Sequence, residues 1–324
     1  MTSPRLPEPV ESPQTHPGSI RLFRIAGIDV FLHWLWFVLA VFQLTSKDGR
    51  YSSLAWNVGE YLTLFFIVLL HEFGHAFACR SVGGVARKIV LWPLGGVAYV
   101  IPPQRPWPTL WTSVAGPLVN VVLAPFLIGL VALSAGQGWS ETRPDLDKFL
   151  FYVCVMNVVL LVFNVLPVYP LDGGQMLRAL LWFVVGPAKS LKAVALFGFV
   201  GVFGIVALAV ALASVWIGVI AAFTFLSCLG GLKHAKALAR TADAPRREEL
   251  HCPACRNPPA VGAFWDCTTC HKSFDTFETH SVCPNCHVRY DATQCLVCGE
   301  FRPIGAWGGA VDSGGPAPQG TAHE

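Results

Sequence analysis

The sequence predicts an α-helical polytopic membrane protein of about six transmembrane helices, with a β-hairpin between two of them and a small cysteine-built domain at the C-terminal end. Three observations carry this. Of 324 residues 53% are hydrophobic and only 13% charged, and the mean hydropathy of +0.52 is well above that of a soluble globular chain. Apolar runs long enough to cross a bilayer recur from residue 28 to residue 229. After Arg247 the composition changes abruptly to repeated Cys-x-x-Cys. The net charge of +3 is small, and the aromatics are dispersed through apolar runs instead of alternating with Lys and Arg. No nucleic-acid partner is expected.

Residues 1–19 are rich in Pro, Ser and Glu without an apolar core, which reads as a disordered N-terminal arm and not as a cleavable signal peptide. The expected spans run from Ile28 to Leu44, Ala55 to Arg80, Leu110 to Ala135 and Phe149 to Leu166. The stretch from Leu191 to Leu229 is too long for one crossing of about 20 residues and is divided near Ala213. Arg21 and Arg24 precede the first span. Arg80, Arg87, Lys88 and Arg105 lie between the second and third, and Lys233, Lys236, Arg240, Arg246 and Arg247 follow the last. All fall on one side, whereas the loop from Gly136 to Lys148 has a slight acidic excess and falls on the other. A multi-pass protein of the cell inner membrane with both termini cytoplasmic is expected, with the lipid bilayer as its surroundings.

The second span contains His71-Glu72-Phe73-Gly74-His75. A helix places the two histidines one turn apart on one face, the spacing at which two imidazoles share a metal ion. Zinc is the natural ion, and Glu72, next to the first ligand, is placed to reach a water on the metal without being a ligand. Such a pentapeptide also arises by chance on soluble core helices. Inside an apolar span, two histidines and a glutamate are costly unless they are paired or bind a metal. A third ligand must arrive from elsewhere, and Asp172 fits. It follows Pro167-Val168-Tyr169-Pro170-Leu171 and precedes Gly173-Gly174, a broken segment where the fourth span reaches the cytoplasmic side.

His71-Glu72-x-x-His75 followed about a hundred residues later by Asn164-x-x-Pro167-x-x-x-Leu171-Asp172-Gly173 resembles the site-2 protease family of intramembrane zinc metalloproteases. The resemblance covers residues 20–231. It implies a zinc metalloendopeptidase, with zinc held by His71, His75 and Asp172, Glu72 as catalytic base, and a transmembrane segment of another protein as substrate, cut near the cytoplasmic face. Neither a PDZ-like insertion nor paired CBS domains are visible, so the resemblance is to the compact bacterial type.

An oxyanion donor is also required. Asn164 is the first candidate and Asn120, in Ala115-Gly116-Pro117-Leu118-Val119-Asn120, the second. For either, a helix-to-helix hydrogen bond is the competing use. The segment from Lys88 to Val100 has two short apolar runs flanking Pro93-Leu94-Gly95-Gly96, which reads as a hairpin. The resemblance makes it a re-entrant β-hairpin beside the site, whose free edge, near Gly95 and Gly96, would pair with an extended substrate strand. A plain cytoplasmic hairpin is the alternative. His33 is read as a hydrogen-bonded packing residue and not as catalytic.

The tail carries Cys252/Cys255, Cys267/Cys270, Cys283/Cys286 and Cys295/Cys298. Four knuckles at this density predict two structural tetrathiolate zinc sites, because cytoplasmic thiols stay reduced. Pairing first with second and third with fourth would make a double zinc ribbon, and interleaved pairing is also open. Phe264, Trp265, Phe274, Phe277 and Tyr290 are the expected core, and protein contact its expected role, since Lys and Arg are sparse. The domain organisation is therefore a disordered arm (1–19), a transmembrane metalloprotease domain (20–240), a linker (241–250), a double zinc ribbon (251–304) and a disordered Gly/Pro/Ala-rich tail (305–324). Two other functions compete: a membrane zinc transporter, and a non-catalytic scaffold whose ribbons do the work. A transporter would carry further polar residues on facing helices. An intact Glu72 argues against the scaffold.

Overall fold

The first apolar segment is not one helix. In the computed structural model, β1 (Ser19–Ile25) and β2 (Ile28–His33) form an antiparallel hairpin, and α1 (Leu35–Ser46) begins only after it. The span expected over 28–44 thus divides into a strand and a helix of 12 residues, about 18 Å long and shorter than the hydrocarbon core of a bilayer. Burial explains the misreading. Ile28, Val30 and Phe31 are all buried, so β2 lacks alternation and merges with the apolar run of the helix that follows. The structure describes residues 18–46, 50–92 and 95–308. The arm before Gly18, the hairpin tip at Pro93 and Leu94, and the tail after Gly308 lie outside the described residues.

After α1 come α2 (Leu54–Ser81), β3 (Val85–Trp92), β4 (Gly95–Ile101), α3 (Pro106–Gly136), the short α4 (Trp139–Thr142), α5 (Pro144–Val165), α6 (Asp172–Val185), α7 (Pro187–Ala211) and α8 (Val215–Asp243). Among the described residues five helices, α2, α3, α5, α7 and α8, are long and apolar enough to cross a membrane. Their outer faces are apolar, as Val122, Phe126, Phe203 and Val210 show. This is a multi-pass membrane protein. α2 is its central helix, with 56% of its apolar window buried against 17% to 22% for the other four.

The four strands make one sheet in the order β1-β2-β3-β4. β2 and β3 run parallel, joined by α1 and α2, and β3 and β4 form the antiparallel hairpin that leaves β4 at an edge. Arg80, near the end of α2, fastens that end to the sheet. Its Nε donates to the Ala86 carbonyl at 3.0 Å and its Nη2 to the Gly27 carbonyl at 3.1 Å. The other end of α2 is fastened to α5: the Ser52 amide donates to Asp145 at 3.1 Å, and Lys148 Nζ to the Arg50 carbonyl at 3.2 Å. α3 therefore leaves from the sheet side, α5 returns to it, and Asp172 at the start of α6 arrives on the same side as the C-terminal half of α2.

The chain divides into two compact units after Ala235. In the second, the four knuckles are folded alike. The residue after each second cysteine, Arg256, His271, His287 or Gly299, has positive φ, and its amide closes the loop onto the carbonyl of the first cysteine. The pairing is nested, which corrects the sequential ribbon. Cys252 and Cys255 meet Cys295 and Cys298, with Sγ–Sγ distances of 3.7 Å, while Cys267 and Cys270 meet Cys283 and Cys286 at 3.4 and 3.6 Å. These are far beyond a disulfide bond and close to the edge of a zinc tetrathiolate, about 3.8 Å for 2.3 Å bonds. Nesting follows from the hydrophobic core. Trp265 and Phe277 meet edge to face, as do Phe277 and Trp307, and the His251 amide donates to the Trp307 carbonyl. The entry and exit of the unit are thereby held side by side. Order continues past Gly305, where disorder was expected, because Trp307 is buried in this core.

Asp275 is the polar centre of the unit. It accepts from Arg247 at 2.7 Å, the Gly262 amide at 2.6 Å and the Phe277 amide at 3.1 Å. Burial alone would raise its pKa, but the bond from Arg247, with those amides and the guanidinium charge, holds the carboxyl below its usual range. A lowered folded-state pKa stabilises above the ordinary carboxylate pKa of about 4, and the contribution is lost as pH falls below it. Asp275→Asn is expected to cost about 2 kcal/mol at neutral pH, or about 30-fold in amide exchange over 262–278. The difference from wild type should shrink as the pH drops below about 4, and hydrogen-exchange mass spectrometry reads both effects.

Candidate metal centre

His71 and His75 lie one turn apart on α2 and point the same way, each almost fully buried. Asp172 reaches them from the first residue of α6. The loop before it, Leu166 to Leu171, contains a cis Tyr169–Pro170 bond. Gly173 and Gly174 follow because side chains do not fit there. A Cβ at Gly173 would lie 2.2 Å from the Val165 carbonyl oxygen, and one at Gly174 2.7 Å from the backbone of Val168 and Tyr169. α6 can start this close to the end of α5 only without side chains at its second and third residues.

The donor atoms form a near-equilateral triangle. His71 Nε2 is 3.1 Å from His75 Nε2, and Asp172 Oδ2 is 3.0 and 3.2 Å from them. The other ring nitrogens show what these atoms offer. His75 Nδ1 is 2.7 Å from the Thr112 carbonyl. A carbonyl only accepts, so Nδ1 carries the proton and the neutral ring keeps its lone pair on Nε2. His71 Nδ1 is 2.6 Å from Asn120 Oδ1, which makes the same assignment for the second ring. Two imidazole lone pairs and a carboxylate oxygen then converge within one low-dielectric site, which is repulsive without a cation between them.

Zinc fits this arrangement. Ligands at 2.0–2.1 Å in a tetrahedron lie about 3.3 Å apart, close to the observed edges. The space is left by Gly116 of α3: a Cβ there would be 2.2 Å from His75 Nε2 and 2.7 Å from His71 Nε2. Glu72 is also buried, and its Oε2 accepts the Ala98 amide of β4 at 2.8 Å. Gly96, one residue pair along β4, lets the strand lie against it, since a Cβ would come 2.2 Å from Glu72 Cγ. The edge strand and the glutamate are thus in direct contact.

The residues singled out from the sequence are placed unevenly. His71, His75 and Asp172 converge, and Glu72, Gly96 and β4 adjoin them. Asn120, expected at the substrate, is instead completely buried and spends its side-chain oxygen on His71. It faces the His71 ring because it lies one helical turn beyond Gly116 on the face of α3 turned to α2. Asn164 sits half-buried near the end of α5 and takes no part in the hydrogen bonds joining the cluster. His33 is a packing residue, stacked on Trp92 at 3.9 Å and accepting the Leu35 amide. Sequence reasoning missed the Thr112 carbonyl, which no side-chain pattern reveals, and Asn157, which was visible as a polar residue in an apolar span.

A multi-pass helical membrane protein with a His–His–Asp group able to hold a metal ion, beside a buried glutamate, is the class that fold and site define. The family model for peptidase family M50 matches residues 60–143 and 140–208. The chain is 36% identical over 182 residues to a zinc metalloprotease of Methanocaldococcus jannaschii, covering 56% of this chain and 50% of that one. It is 30% identical over 155 residues to stage IV sporulation protein FB of Bacillus subtilis, covering 46% of each. The chain spans about half the length of the curated relatives it matches. Among solved structures, the site-2 protease from Methanocaldococcus jannaschii superposes with a TM-score of 0.50 at 27% identity, covering 66% of this chain and 95% of that one. The membrane-embedded part of this chain is similar to the site-2 protease family, peptidase family M50.

Gly116→Ala is expected to fill the space between the two Nε2 atoms and weaken zinc binding by about 100-fold. Gly129→Ala, on the same helix with nothing within 4 Å of its Cβ position, should leave zinc bound. Metal content of the purified variants, with circular dichroism as the check on folding, makes the comparison.

Proposed function

We propose that this protein is an intramembrane zinc endopeptidase that cuts transmembrane segments of other membrane proteins near the cytoplasmic face. The convergence of His71 Nε2, His75 Nε2 and Asp172 Oδ2 within 3.2 Å of one another, beside the buried Glu72, carries this reading. His71, His75 and Asp172 hold the ion. When bound, zinc supplies Lewis acidity, lowering the pKa of a water and polarising the scissile carbonyl.

The rest falls to the chain's own groups. Glu72 takes a proton from the attacking water and passes it to the leaving amine, acting first as base and then as acid. Its bond from the Ala98 amide keeps the carboxylate at the sheet edge, where a substrate carbonyl would lie. Asn164 is the proposed donor to the developing oxyanion. A transmembrane helix hides its peptide bonds, so the substrate must be drawn out as a strand. β4 is suited to this, being an edge strand next to Glu72, and the Gly95–Gly96 start of the strand allows close approach of a second backbone.

The basic residues of the sheet side, Arg21, Arg24, Arg80, Arg87 and Lys88, favour a cytoplasmic sheet and cytoplasmic termini. The second unit completes the proposal with two structural zinc ions, one at Cys252, Cys255, Cys295 and Cys298 and one at Cys267, Cys270, Cys283 and Cys286. Three zinc equivalents per chain are therefore proposed, with a protein contact as the role of the ribbon unit.

Glu72→Gln preserves the shape of the side chain and its bond to Ala98 but removes the base. It is expected to retain three zinc equivalents and to lower cleavage of a transmembrane substrate by at least about 100-fold. Comparing the membrane peptides that accumulate with wild type and with this variant measures the loss and finds substrates. Unchanged cleavage would remove Glu72 from the base role.

A further inference from the structure

The lone pair of His71 depends on a side chain that could face either way. A carboxamide offers an oxygen on one side and an NH2 on the other in nearly the same shape. If Asn120 turned its NH2 to His71, Nδ1 would have to accept, and the proton of a neutral ring would move to Nε2, where the ion belongs. Something must therefore hold Asn120 in the orientation that presents Oδ1.

Asn157 of α5 does this, although its side-chain hydrogen bonds go to Asn120 and to neither histidine, and it is completely buried. Its Nδ2 donates to the backbone carbonyl of Asn120 at 3.0 Å, and its Oδ1 accepts Asn120 Nδ2 at 2.8 Å. The first bond fixes the second. A backbone carbonyl only accepts, so the NH2 of Asn157 must face it, which leaves Oδ1 facing the side chain of Asn120. That oxygen demands the NH2 of Asn120, and Asn120 Oδ1 is left for His71 Nδ1, 2.6 Å away. Each member of the chain has one orientation once the carbonyl is given.

We propose that Asn157 is a positioning residue that sets the tautomer of His71 through Asn120, so that the Nε2 lone pair faces His75 and Asp172 before the ion arrives. The proposal rests on His71 being a metal ligand. The competing account is a plain α3–α5 hydrogen bond between helices, which a buried asparagine pair in a membrane protein also provides.

The two accounts differ in what Asn157 does to metal affinity and in how that effect depends on residue 120. The measurement is zinc affinity of the full-length protein in detergent by chelator competition, following the equivalent that His71→Ala loses. Asn157→Leu keeps the volume and removes both bonds, and should weaken that equivalent by 10- to 100-fold. Asn157→Asp keeps the acceptor facing Asn120 and should return affinity to within about threefold of wild type. In an Asn120→Asp background both faces of residue 120 accept, so no orientation has to be chosen, and adding Asn157→Leu should change affinity little. A relay is overturned if Asn157→Leu lowers thermal stability without altering zinc affinity. It is equally overturned if the loss of affinity is as large with Asp at position 120 as with Asn. If Asn157→Leu does not fold, the affinity of Asn157→Asp and of Asn157→Ser decides, the serine variant being expected to fall below the aspartate. Should His71→Ala lose no zinc at all, the ligand assignment fails, and this result is distinct from failure of the relay.

Discussion

Three electron-rich atoms brought within 3.2 Å of each other inside a helix bundle set the terms for everything around them. In water such a cluster would be screened and dispersed by rotation of the side chains. Here the rings are locked from behind, His75 by the Thr112 carbonyl and His71 by Asn120, so relaxation by rotation is closed off. A cation bound between them would relieve the unfavourable contact. An ion entering there would meet ligand atoms already in place, which is the logic of a preorganised site.

The small residues on neighbouring elements follow from the same demand. α3 must approach α2 closely enough for Thr112 and Asn120 to touch the rings, and a Cβ at Gly74 of α2 would come 2.7 Å from the Ala115 carbonyl of α3. β4 must approach Glu72, and Gly96 permits it. α6 must begin almost on top of α5, and Gly173 and Gly174 permit that. Small residues at helix contacts are common in bilayers, where close packing replaces the hydrophobic driving force. In this protein they also leave room around His71, Glu72, His75 and the start of α6.

Much of the site was legible in the sequence because its elements are local. A one-turn His pair on a helix, a glutamate between them and a Pro-rich, Gly-Gly-flanked aspartate each declare their geometry through spacing alone. What escaped depended on contacts across the fold. The strand at Ile28–His33 looked like the start of a helix because both its faces are buried and no Gly or Pro separates it from α1. The nested cysteine pairing was hidden because all four knuckles have the same spacing, so spacing does not distinguish which meets which. Asn120 was noticed, but nothing in the sequence revealed that it faces the His71 ring, and its bonds to Asn157 require knowing that α5 lies behind α3.

The nested knuckles also imply an order of events. The inner four thiols are closed by a sequence separation of 13 residues between Cys270 and Cys283, the outer four by 40 between Cys255 and Cys295. Chain-closure entropy makes the outer loop costlier by about 1 kcal/mol when formed from an open chain. Once the inner ring exists, most of that distance is already spanned. Assembly should thus proceed from the middle of the segment outward, and dismantling from its two ends inward. A force or a chelator acting on the termini would meet the outer four thiols first and leave the inner four still closed behind them.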